Sequence, residues 1–181
     1  MPELIETTLE DFRPFSDQQA IKTFYAFLRW INGPESQLET NDCALRAPTS
    51  HSDANSHFSL CIYGRVYILY RNLKLNSSAP HVERIAQEFF SALRQVDPEF
   101  TKAAGVIGLT LNPTLQTAIS QGFWHPDGSF DVAPSDPGFG RHLMVTFWAY
   151  GENEDQSFSH LNRVFLNIWD AAQTVSKKVM K

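Results

Sequence analysis

Apolar residues recur at Ile21, Phe24, Leu28 and Ile31, one stripe at the 3.6-residue period of a helix. The helix is expected from about Ser16 to Asn32, with Ser16 and Gln19 as a capping box and Phe15 stapled onto Ala20. Gly33-Pro34 should stop it. Gln37 to Ala47 reads as a strand, with Leu38, Cys43 and Leu45 as its apolar positions and Asp42, Ala44 and Arg46 sharing the other face. A polar connection, Pro48 to Ser56, follows. Phe58–Tyr63 and Val66–Leu73 then read as two strands folded about a tight turn at Gly64-Arg65.

A second amphipathic pattern, Val82, Ile85, Ala86, Phe89, Leu93 and Val96, predicts a helix over Ala79–Val96, capped by Ser78, with Pro80 in its first turn and Asp97-Pro98 closing it. A short strand at Val106–Leu111 ends at Asn112-Pro113. Gln121 to Gly140 is rich in Gly, Pro, Asp and aromatic residues and reads as a long loop. The chain returns to a strand over Arg141–Tyr150 and a final helix from about Gln156 to Val179. Lys177, Lys178 and Lys181 crowd the end of that helix, where cations suit its dipole.

This order predicts an α+β fold, a two-layer sandwich in which a mainly antiparallel sheet carries helices on one face. Sliding the chain against itself by 79 residues strengthens the picture. Val66 then falls on Val145, Ser78 on Ser157, His81 on His160, Arg84 on Arg163, Ala92 on Ala171 and Val96 on Val175. The match suggests one strand–helix unit used twice about a pseudo-twofold axis. On the last strand Leu143, Val145, Phe147 and Ala149 should face the helices. His142, Met144, Thr146, Trp148 and Tyr150 should then form the uncovered side.

Composition narrows the functional classes. The 181 residues, 43% apolar, are enough for one domain with a substantial core. Fifteen basic residues against 20 acidic give a net charge of −5, which argues against nucleic acid as a partner. No long apolar run suggests a membrane span, and the acidic start does not resemble a signal peptide, so a cytoplasmic location is expected. Two cysteines, Cys43 and Cys61, lie in strand-like segments and read as buried thiols.

No phosphate loop, nucleophile elbow, zinc-protease motif or dinucleotide fingerprint occurs, so neither a cofactor nor a catalytic set is assigned. His51, Asp53 and His57 resemble metal ligands in type, but their spacing fits no element that would aim all three at one point, and a solvated loop is preferred. His81 and His160, matched in the repeat, are ordinary first-turn residues; Arg84 is expected to pair with Glu83 or Glu88, and Arg163 with Glu154 or Asp170. Candidate binding residues are of two kinds. Asp42, Arg46 and Arg71 are charges on or beside strands, able to clamp a small acidic ligand. Trp124, His125 and Asp127 in the long loop, with Trp148 and Tyr150 on the last strand, have the composition of an interface anchor. The reading is a non-catalytic protein that binds a protein partner, or itself, through the uncovered sheet face and the 122–140 loop. The alternative is a small enzyme or ligand-binding protein whose groove is lined by Arg, Asp and His.

Overall fold

The computed structural model describes residues 15–51, 58–76, 78–98, 105–112, 123–124, 130–131 and 142–179. In chain order the elements are helix α1 (Gln19–Ile31), strands β1 (Leu38–Leu45), β2 (Thr49–Ser50) and β3 (Leu60–Tyr70), a one-turn helix α2 (Leu73–Asn76), helix α3 (Ala79–Val96), strands β4 (Gly105–Asn112), β5 (Phe123–Trp124), β6 (Phe130–Asp131) and β7 (His142–Gly151), and helix α4 (Glu154–Val179). The main sheet runs β1-β3-β7-β4, antiparallel throughout, with β2 extending the β1 side of β3. The fold is α+β, with helices packed on the sheet, as the sequence implies.

The alternation along β7 decides which side the helices cover. Leu143, Val145, Phe147 and Ala149 are fully buried, while Met144, Thr146, Trp148 and Tyr150 are only half-buried. Val66 and Ile68 of β3 stand directly opposite Val145 and Leu143 and share their face. These residues form one core with Ile21, Phe24 and Phe27 of α1, Ile85 and Phe89 of α3, and Leu161, Phe165 and Ile168 of α4. α4 packs against both other long helices. Its Phe165 stacks on Phe24 of α1 at 4.6 Å and meets Phe147 of β7 edge-on at 5.1 Å, joining the helix layer to the sheet.

Several local expectations are corrected. Gly64-Arg65 is not a turn: β3 is one continuous 11-residue strand, and Gly64 sits between Leu45 of β1 and Phe147 of β7. Glycine is required there by close approach. A Cβ would collide with the Ala44 carbonyl oxygen and lie 2.7 Å from the Phe147 ring. The strand ends at Tyr70 rather than Leu73, because the buried Asn76 side chain takes over the backbone pairing: its Oδ1 accepts from Tyr70 N at 2.9 Å and its Nδ2 donates to Tyr70 O at 2.7 Å. α1 starts at Gln19 with no side-chain cap, so the Ser16–Gln19 capping box does not form, and Phe15 packs on Phe158 of α4. Ser78 is the N-cap of α3 but makes no capping bond; its hydroxyl meets His81 Nδ1 at 2.8 Å. α4 begins two residues earlier than its apolar stripe suggests, because Asn153 Oδ1 accepts from Gln156 N at 2.9 Å. The expected long loop contains a short pairing, Phe123–Trp124 with Phe130–Asp131.

The repeat finds geometric company but not confirmation. Val66 and Val145 are direct cross-strand partners, and each strand leads into a long helix. The matched polar residues, however, keep different partners. His81 contacts Ser78, whereas His160 donates from Nδ1 to the Tyr150 carbonyl of β7. Arg84 pairs with Glu88 on its own helix, as one of its expected partners. Arg163 instead leaves its helix and grips Asp97 at the end of α3, with Nη2 to Oδ1 at 2.6 Å, rather than Glu154 or Asp170.

Candidate functional site

The face of the sheet turned away from the helices is built by simple parity. With Tyr63 directly opposite Trp148, Arg65 opposite Thr146 and Tyr67 opposite Met144, these six side chains share one side of β3 and β7. β1 adds Ala44 opposite Arg65, and Arg46 donates its backbone N–H to the Tyr63 carbonyl, which places it at the β1 end of the Tyr63–Trp148 row. Asp42 has a register position opposite Tyr67, just after a bulge that follows Thr40. Beyond the bulge, Ala44 and Arg46 stand in register with Arg65 and Tyr63.

This face is covered unevenly. Cys61, Tyr67 (5% exposed) and Leu69 are buried, so the outer side of β3 is not open along its length. Burial pushes the Cys61 thiol up from its ordinary value, keeping it a thiol rather than a reactive thiolate. What remains accessible is a strip: exposed Arg46 and Arg65, with Tyr63, Met144, Thr146, Trp148 and Tyr150 half-buried beside them. Both guanidinium groups lie over aromatic rings, Arg46 at 5.0 Å from the Tyr63 centroid and Arg65 at 5.6 Å from that of Tyr67. Among the described residues, no carboxylate pairs with Arg46. At the far end the Tyr150 ring meets His51 at 4.9 Å and stacks near Phe58 at 6.2 Å.

The sequence-derived candidates therefore separate. Arg46, Trp148 and Tyr150 come together on this strip, and Asp42 has a backbone register position opposite Tyr67. Arg71 does not: its Nε donates to Ser36 O at 3.1 Å and its Nη2 to Gly33 O at 2.8 Å and Ile31 O at 3.3 Å. A cation placed on those carbonyls closes the C-terminal end of α1, a structural task that leaves it no part in a clamp with Arg46. Trp124 belongs to the short β5–β6 pairing, and His125 and Asp127 lie outside the described residues. Of the His51, Asp53 and His57 set, only His51 is described, packed on Tyr150. Among the described residues, no group of three potential ligands is placed to hold a metal, and no helix is long and apolar enough to cross a membrane.

Sequence reasoning missed two members of the strip. Tyr63 and Arg65 were hidden by reading Gly64-Arg65 as a turn, which broke the alternation where the strand continues. The usable signal was the run of alternate residues Tyr63, Arg65 and Tyr67, all consistent with one uninterrupted strand. The groove expected from Asp42, Arg46 and Arg71 does not coincide with either of two pockets formed among the described residues. The pocket at the junction of α3, α4 and β4 and the smaller one beside Tyr70 and His81 are lined by none of these three. No protein-family model, curated protein or solved structure matches the chain, so the residues themselves carry the functional reading.

Proposed function

We propose that this chain is a non-catalytic binding protein whose helix-free sheet face engages an acidic, aromatic-bearing segment of another protein. The observation that carries this reading is the row Arg46–Tyr63–Trp148, three strands wide, with Arg65 beside it. Trp, Tyr and Arg are the residues that dominate binding energy at protein interfaces, because they bring large contact area and directed polar groups at small entropic cost. The Arg46 guanidinium, with no carboxylate paired to it among the described residues, also sets the sign of the partner, since a carboxylate can take charge-assisted hydrogen bonds from it. Mounting on a sheet rather than a loop keeps the strip pre-formed, so little ordering is needed on binding.

Selection of displayed peptides against the full chain tests the proposal. Enriched sequences should combine Asp or Glu with an aromatic residue. Their binding should perturb amide resonances of Tyr63, Thr146 and Trp148, and should be lost in an Arg46→Glu, Arg65→Glu double variant that keeps its circular dichroism spectrum. Selected peptides without acidic enrichment, or binding indifferent to the charge reversal, would overturn it. A chain that is dimeric in solution and becomes monomeric with Trp148→Lys would assign the strip to a second copy instead.

A further inference from the structure

A separate site is built on the helix side of the molecule. α3, α4 and β4 enclose an open pocket of about 360 Å³, within the size range of small-molecule sites. Its walls are apolar: Leu93 and Phe90 of α3, Pro98 just beyond that helix, and Ile107 of β4. Its polar lining among the described residues is Arg94, Asp97 and Asn167, and the first and last of these have bonding capacity to spare. Arg94 lies over the Phe90 ring at 5.7 Å, and among the described residues no carboxylate pairs with it. Asn167 of α4 is only 6% exposed, and its one side-chain hydrogen bond among the described residues is from Nδ2 to Asp97 Oδ2 at 3.0 Å.

That bond fixes the orientation of the carboxamide, because a carboxylate can only accept. It leaves the Asn167 Oδ1 acceptor without a protein donor among the described residues but open to the pocket, since it is Trp169 Nε1, and not this atom, that is buried without a partner. An acceptor on the wall of an open pocket takes its donor from whatever fills the space, water or ligand. Asp97 is also held by Arg163, which offsets its charge. Among the described residues, Arg94 is then the charge at the pocket without an opposite partner. Phe90, 55% exposed on the same rim, is the most exposed large apolar side chain described, an arrangement that favours a flat ring sliding against it.

The geometry points to a binding site for a small organic carboxylate with a flat apolar body and one hydrogen-bond donor: the carboxylate on Arg94, the body against Phe90, Leu93 and Ile107, and the donor on Asn167 Oδ1. The inference is independent of the outer-face reading, since it uses none of the same residues.

Indole-3-acetate has all three features and serves as the probe, titrated calorimetrically into the full chain. Binding should weaken about tenfold or more in Arg94→Gln and in Phe90→Ala, two exposed positions whose replacement leaves the core alone. Tryptamine, with the charge reversed, should not bind. 1-Methylindole-3-acetate, which lacks the N–H, should bind more weakly to the unaltered protein, a comparison that needs no substitution at buried Asn167. The Arg46→Glu, Arg65→Glu variant should bind the probe normally. Absence of binding at millimolar probe overturns the site, as does binding that ignores Arg94→Gln or equal binding of tryptamine. Equal binding of the methylated probe removes Asn167 as the acceptor and overturns the stated ligand chemistry.

Discussion

Gly64 and Phe147 face each other across the centre of the sheet, and the phenyl ring occupies the space that a side chain at position 64 would need. The ring is held from the other side by Phe165, so it has little room to retreat. Gly64→Ala, a change that ordinarily helps a strand, should therefore cost about 1–3 kcal/mol in chemical denaturation. A neutral or stabilising result would show that Phe147 can move aside.

The two sides of β7 should respond differently to truncation. Phe147→Ala empties a fully buried position and should cost about 3–5 kcal/mol. Trp148→Ala, one residue along but half-buried on the other face, should cost about 1 kcal/mol despite removing the larger side chain. Equal losses would mean that the outer strip is core rather than surface, and the proposed function would fall with it.

Asp97 and Arg163 tie the end of α3 to α4 by a two-pronged contact, with Asn167 adding a third bond to the same carboxylate. Asp97 is the more buried partner and Arg163 remains partly exposed, so solvent weakens the attraction without removing it. A double-mutant cycle with Asp97→Asn and Arg163→Gln should give a coupling of about 1–2 kcal/mol. A coupling near zero would reduce this contact to an incidental surface pair.

Tyr70 gives the protein a weakness in alkali. Burial, reinforced by nearby Glu88, pushes its phenol up from the ordinary value to about 12, and the hydroxyl donates to the His81 carbonyl at 3.1 Å. Between about pH 10 and 12 the unfolded chain releases this proton while the folded chain retains it. The stability Tyr70 contributes is thus intact below pH 10 and declines as pH rises through the folded value. Tyr70→Phe should lose about 1 kcal/mol at neutral pH with its hydrogen bond, yet show a shallower decline above pH 10 than the unaltered chain. Parallel alkaline slopes in the two proteins would assign the sensitivity elsewhere.

Periodicity made the helix and strand content legible wherever a stripe was long. The inward set on β7 and the apolar side of α3 are where alternation and the 3.6 period place them, because burial selects apolar residues position by position. Gly64 misled because glycine serves both turns and close packing, and only the neighbour across the sheet, Phe147, tells the two apart. Arg71 misled for a related reason: a charge at a strand end suggests a binding surface, while its partners are backbone carbonyls at the end of α1 and just beyond it, which carry no signature in side-chain chemistry. Asp97 was visible as a helix stop, but its grip on Arg163 spans 66 residues and cannot be read from local spacing. The outer strip was half legible, Trp148 and Tyr150 from one strand's alternation, while Tyr63 and Arg65 depended on recognising a neighbouring strand as unbroken.

The pairing of Val66 with Val145 has a consequence for how the chain reaches this shape. The two central strands are joined by residues 79 positions apart, so no local hairpin can supply the middle of the sheet, and α4, which completes the core beneath it, follows later still. Closing so large a loop is entropically expensive before any contact rewards it, which places the chain among slow folders. During synthesis the first half must therefore emerge with the apolar side of β3 unsheltered, a period of vulnerability to aggregation that ends only when β7 and α4 have left the ribosome.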